Sequence, residues 1–300
     1  MITQVPLDVM HLIDLGVMRK FLLRVINNKS KITKEFVRKP RSLDEISNWK
    51  ATEFRMFLFY FGIYVLKDEL PNDIYYEFLL LHCVCRLLFC PKNYITNIEV
   101  GRDILILFVN NFAAVFGDNR VSYNVHGFLH ISEDIRELGI PSTYSTYSFE
   151  NYLQILKSYV KKPTQILQQI TNMLKHEKIV TPPKFTGYQI KNYCIKNFHF
   201  DDFSLSSKFP NNYCSVKPFQ YIEIQNFKDV NSKIIKGKKL LNLQSFFIEP
   251  IDSSTLGICT ADLNPSCNEE EFLLDDVEYK LMCITLAEKI LLIPILHTCM

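Results

Sequence analysis

Asp8 and His11 stand about one helical turn apart, where the chain passes from one kind of element to another. Ile2–Leu7 reads as the end of a short strand, with Pro6 at a place where no ladder donor is needed. From Met10 to Ile26 the apolar residues recur at helical spacing: Met10, Ile13, Val17 and Phe21, flanked by Met18, Leu22 and Val25. A carboxylate at the C-terminal end of a strand supplies the hard oxygen that Mg²⁺ prefers. His11 can orient that carboxylate or a leaving group. Asp8 also suits a purely structural task, because an N-cap carboxylate accepts an orphan backbone N–H. Spacing alone leaves both readings open.

Two other groups have ligand-like residue types. His126 and His130 lie four apart on a helix expected over Val121–Leu138, so they share a face. Zinc proteases use that spacing, but Gly127 holds the place of the general-base Glu, and the protease reading fails there. His82, Cys83 and Cys85 sit together without the spacing of a common zinc site. The nine cysteines are irregularly placed, with no Cys-x-x-Cys, which fits free buried thiols in a reducing compartment. No glycine-rich phosphate loop or nucleophile elbow is present, so no small-molecule cofactor is expected.

The elements around these residues imply an α+β chain. Helices are expected over Thr52–Lys67, Ile74–Cys90 and Thr96–Phe116, after a capping box at Ser42 and Glu45, and together they form a helical bundle over 42–117. Beyond Val121–Leu138 come Phe149–Val160, capped by Ser148, and Pro163–His176. Glu150 falls in the first turn of its helix, an ordinary place for a carboxylate beside the positive end of the macrodipole. Pro182-Pro183 marks a boundary between a helical region, 1–178, and a β-rich one, 185–300. In the latter, strands are expected over Tyr188–Ile195, Tyr213–Val216, Gln220–Gln225, Lys239–Ile248, Leu256–Thr260, Val277–Leu286 and Lys289–Ile295. They suggest a small antiparallel barrel or sandwich, with a basic turn of Lys233, Lys236, Lys238 and Lys239 around Gly237.

Composition limits the partners. A net charge of +2 excludes a global polycation argument for nucleic acid, so DNA contact needs a local patch. The linker over 28–41 offers one: Lys29, Lys31, Lys34, Arg38, Lys39 and Arg41 against Glu35 alone. A solvated connector has the same composition. Hydrophobic content of 48% is enough for a core, so the chain is not a disordered one. No secretory signal and no membrane span is seen; Phe54–Leu66 comes nearest but contains Arg55 and Gly62. An intracellular protein, nuclear or cytoplasmic, is expected.

The string Pro6-Leu7-Asp8-Val9-Met10-His11, continuing through Leu15-Gly16-Val17 to Leu22, resembles a segment of CACTA-type (En/Spm-like) DNA transposases. Further matches follow in order: Lys50–Arg55, Leu66-Lys67-Asp68, Val121–His126 and Ser148-Phe149-Glu150-Asn151, so that the resemblance covers roughly residues 3–175. It implies an RNase H-like domain with a three-carboxylate (DDE) Mg²⁺ site. Asp8 would be its second Asp, Glu150 its Glu, His11 a catalytic neighbour, and 42–117 a helical insertion between them. Strand transfer needs two ions about 3.5–4 Å apart, gripped by several carboxylates. In that family the first Asp stands on an earlier strand, and only seven residues precede Asp8 here. The expectation is therefore a fragment or remnant that does not cut DNA alone, completed by a second chain supplying the missing strands. The alternative is a domesticated module that holds DNA or protein.

Overall fold

The computed structural model describes residues 6–25, 43–176, 187–191, 194–228, 233–266 and 268–296. The architecture is α+β, with helices from Met10 to His176 and antiparallel strands from Gly187 to Pro294. The basic residues Lys29, Lys31, Lys34, Arg38, Lys39 and Arg41 lie outside the described residues, as do Ser42 and the Pro182-Pro183 boundary.

The first helical run starts as a π-helix, Met10–Met18, and continues as α1, Arg19–Val25. The wide turn shows in the Arg19 N–H, which reaches Asp14 O five residues back. One face of this run is buried, with Ile13, Val17, Met18, Phe21 and Leu22 fully enclosed. The expected strand ahead of it is not found where it can be checked: Pro6 and Leu7 have no regular structure. The Leu7 N–H is taken instead by the Asp134 carboxylate, at 2.7 Å. Among the described residues up to 176 there is no strand at all, so no sheet of the RNase H type is formed by them.

The helix expected over Thr52–Lys67 runs as α2, Ala51–Met56, a π turn, Phe57–Phe61, and α3, Gly62–Val65. Helix α4, Asn72–Leu88, is enclosed on all sides from Glu77 onward. Helix α5, Tyr94–Phe116, packs antiparallel to it and ends at Gly117, whose φ of 92° suits glycine. The segment 121–138 is broken: α6, Tyr123–Gly127, a 3₁₀ turn, Phe128–His130, and α7, Ile131–Leu138. Helices α8, Tyr147–Tyr159, and α9, Ile166–His176, complete the region. The residues 42–117 are no separate bundle, because their core is continuous with Met10–Val25, Val125, Phe128 and Ile131.

In the β region, β1, Gly187–Lys191, β2, Cys194–His199, and β3, Ser204–Ser206, form one three-stranded sheet. The larger sheet holds β4, Tyr213–Val216, β5, Gln220–Phe227, β6, Ile234–Lys239, β7, Gln244–Ser245, β8, Cys259–Asp262, β9, Glu269–Leu273, β10, Val277–Thr285, and β11, Lys289–Pro294. Its order is β7-β8-β11-β10-β4-β5-β6-β9. The expected basic turn is in fact strand. Lys236 and Lys238 on β6 stand opposite Glu271 and Glu269 on β9. Lys239 pairs with Glu270 at 2.6 Å, and Lys233 with Asp275 at 3.3 Å. Cross-strand pairing of opposite charges explains why that lysine cluster leaves little uncompensated charge for a phosphate.

The two regions share one core. Phe247, Ile258, Ile284, Leu291, Ile293 and Leu296 pack with the helical residues. The buried Arg86 of α4 donates to Pro294 O at 2.8 Å, and the Leu296 N–H donates to the Tyr60 hydroxyl at 3.4 Å.

Candidate functional site

Asp8 sits at the mouth of the first helical run and has two jobs at once. Its Oδ2 accepts the His11 N–H at 3.1 Å, the capping bond that its spacing suggests. The same oxygen takes His11 Nδ1 at 2.5 Å and the Thr146 hydroxyl at 2.7 Å, while Oδ1 takes the Thr146 N–H at 2.9 Å. Partial burial pushes the Asp8 carboxyl up, but these donors outweigh it and hold it below the usual carboxylate range. Thr146 lies 138 positions away, on the step into α8. The bond to Asp8 therefore docks the start of α8 against the first helical run.

That docking brings Glu150 to the same place. One turn into α8, its Oε1 lies 4.0 Å from His11 Nε2, with the His11 side chain 59% exposed and Glu150 52% exposed. The imidazole stands between the two carboxylates, with one ring nitrogen on each. Asp8, His11 and Glu150 are thus brought together, although only the first two are near in sequence.

Beneath them is a buried layer that sequence reasoning missed. Asp14 is 1% exposed, accepts the Tyr147 hydroxyl at 2.8 Å, and lies 3.8 Å from the Arg55 guanidinium. Burial pushes its carboxyl up to about 7, against the pull of Arg55 and Tyr147 and with a further push from the Asp8 charge. Its Oδ1 has no hydrogen-bond partner among the described residues. Arg55 is held over the rings of Phe59 at 4.8 Å and Tyr147 at 5.8 Å. An acid inside the apolar stripe between Ile13 and Val17 was the available signal for Asp14. Nothing local marked Thr146 or Tyr147.

Four of the five sequence segments that carry the resemblance border this corner. Arg55 reaches Asp14, Glu150 reaches His11, and Asn124 packs so closely on Gly16 that an added Cβ would lie 2.3 Å from its amide nitrogen. Two carboxylates and one imidazole are fewer ligands than a two-ion centre uses. Asp8 and Glu150 would share a divalent ion only after His11, which stands between them, turned aside. Among the described residues no group of three or more His, Cys, Asp or Glu side chains is arranged to hold a metal. No strand-transfer step follows from this geometry.

The other candidates have structural surroundings. The His126 and His130 rings contact each other edge to face at 5.9 Å, and His130 lies 3.5 Å from Glu133. His82 is fully buried, bonded through Nδ1 to Leu58 O at 2.7 Å, and burial lowers it to about 3. Cys83 and Cys85 are free, buried thiols. No helix among the described residues is long and apolar enough to cross a membrane.

Residues 175–295, the β region, match the profile of a family described as Domain of unknown function (DUF8592). Neither the curated proteins nor the solved structures give a match to this chain. The Asp8, His11 and Glu150 corner lies outside the matched residues.

Proposed function

We propose that this chain is derived from a CACTA-type transposase, and that Asp8, His11 and Glu150 are part of a Mg²⁺-dependent phosphoryl-transfer centre that is incomplete within it. The observation carrying the reading is the meeting of Asp8 and Glu150 on opposite sides of one imidazole. A carboxylate pair is the minimum such chemistry uses, and a two-ion centre needs more. The apolar side of α8 supports incompleteness: Phe149, Tyr152 and Leu153, around Glu150, are each 49% exposed or more. A surface of that kind beside a half-built site suits a second chain supplying further structure and a further carboxylate. On this reading the protein works in the nucleus or cytoplasm, binds DNA as part of a larger assembly, and does not cut it alone.

Two measurements test this. Mn²⁺, used as a probe for Mg²⁺, is expected to broaden the NMR signals of His11 and Thr146, and Glu150→Gln to abolish the effect. Absence of broadening removes the metal role. With Mg²⁺ and supercoiled plasmid, the wild-type chain is expected to produce no nicks; nicking that disappears in Glu150→Gln disproves incompleteness.

A further inference from the structure

A cleft of about 660 Å³ opens where the α4–α5 junction meets the larger sheet. Its size is that of a small-molecule site, and it lies at the joint between two regions, a common place for one. None of Asp8, His11 and Glu150 lines it. Its charge comes from two cations, Arg86 and Lys92, and one acid, Glu278. Arg86 is 2% exposed and donates to Pro294 O at 2.8 Å and Leu256 O at 3.5 Å, so its charge acts on the cleft from behind those carbonyls, where it is weakly screened. Lys92 holds Glu278 at 3.0 Å, with the lysine 40% exposed at the rim. The walls add aromatic surface, chiefly from Tyr279 and Phe219. Tyr221 and Tyr279 meet edge to face at 6.3 Å, and Phe219 stands 87% exposed at the entrance. The Tyr221 hydroxyl donates to Gly257 O at 2.8 Å, which fixes the turn that closes one side. Burial raises the Cys259 thiol to about 11, so it stays protonated at neutral pH and supplies no nucleophile.

We propose that this cleft binds a small organic anion: a phosphate or carboxylate head beside Lys92, in the field of the Arg86 guanidinium behind it, with a planar apolar body against Tyr279 and Phe219. The proposal is independent of the transposase reading. The lining residues carry one excess positive charge, and the aromatic walls match a planar body better than a bare ion.

The test uses the full chain and four probes: phenyl phosphate, benzoate, phenol and inorganic phosphate. Phenyl phosphate or benzoate is expected to shift the amide signals of Thr255 and Gly257, and which of them binds more tightly identifies the head group. Phenol and inorganic phosphate are expected to bind at least about tenfold more weakly, each lacking one of the two features. Lys92→Met should weaken, and Glu278→Gln should tighten, binding of the preferred probe by about three- to tenfold. Opposite directions in two variants at the same ion pair separate a charge effect from a loss of folding. The proposal is overturned if phenol binds as well as the aryl anions, if inorganic phosphate does, if no probe moves those signals, or if the two variants change affinity in the same direction.

Discussion

Asp14 shows how one residue can set the pH response of a region. Its carboxyl is pushed to about 7 in the fold by burial, against an ordinary value of 3.8 in the unfolded chain. Between those values the unfolded chain gives up the proton and the folded one keeps it. The stability that Asp14 contributes is therefore full below about pH 3.8 and is lost as pH rises through 7. Asp14→Asn removes this dependence. The urea midpoint of the wild type should fall more steeply than that of Asp14→Asn between pH 4.5 and 7.5. Equal slopes would mean that Asp14 is already ionised in the fold. Asp8 behaves in the opposite sense, because Thr146 and His11 stabilise its charge. The two acids are only six positions apart, and spacing could not separate them. What differs is the partner each meets across more than 130 positions, Thr146 for one and Tyr147 for the other.

At the scale of elements, α4 and α8 form a contrast. Helix α4 is enclosed from Glu77 onward and apolar there except for Glu77, His82 and Arg86, as a mostly apolar helix must be. Helix α8 has an apolar stripe of similar residues but buries Tyr159 alone, and α9 exposes Leu167 at 79% and Met173 at 44%. Leu153→Lys and Leu167→Lys should therefore change stability by no more than about 0.5 kcal/mol. A loss of about 2 kcal/mol or more in thermal melts would show that these faces are packed in solution. Periodicity announced both helices and could not tell which was covered, since coverage depends on neighbours. The same limit explains strand β9. Three consecutive glutamates have low strand propensity, and they become a strand because Lys236 and Lys238 lie opposite and Lys239 pairs with Glu270.

At the scale of the molecule, the helical and β regions should unfold together. Phe247 of the β region packs edge to face on His82 of α4 at 6.2 Å and is 8% exposed. Phe247→Ala should cost about 3–5 kcal/mol and lower the transition reported by Trp49, the sole tryptophan, although Trp49 lies in the helical region. Trp49 fluorescence and hydrogen exchange in β10 and β11 should report one transition; two separate midpoints would show independent domains. By itself the sequence determined the order of helical and strand regions and the pairing of Asp8 with His11. Those features depend on residues a few positions apart, whose periodicity and chemistry are local. Only the tertiary structure decided that Glu150 joins them, that Asp14 is buried beneath, that the lysine run faces a strand of glutamates, and that one core crosses both regions. Each of these rests on partners brought together by packing, and residue spacing along the chain carries no record of distances closed by folding.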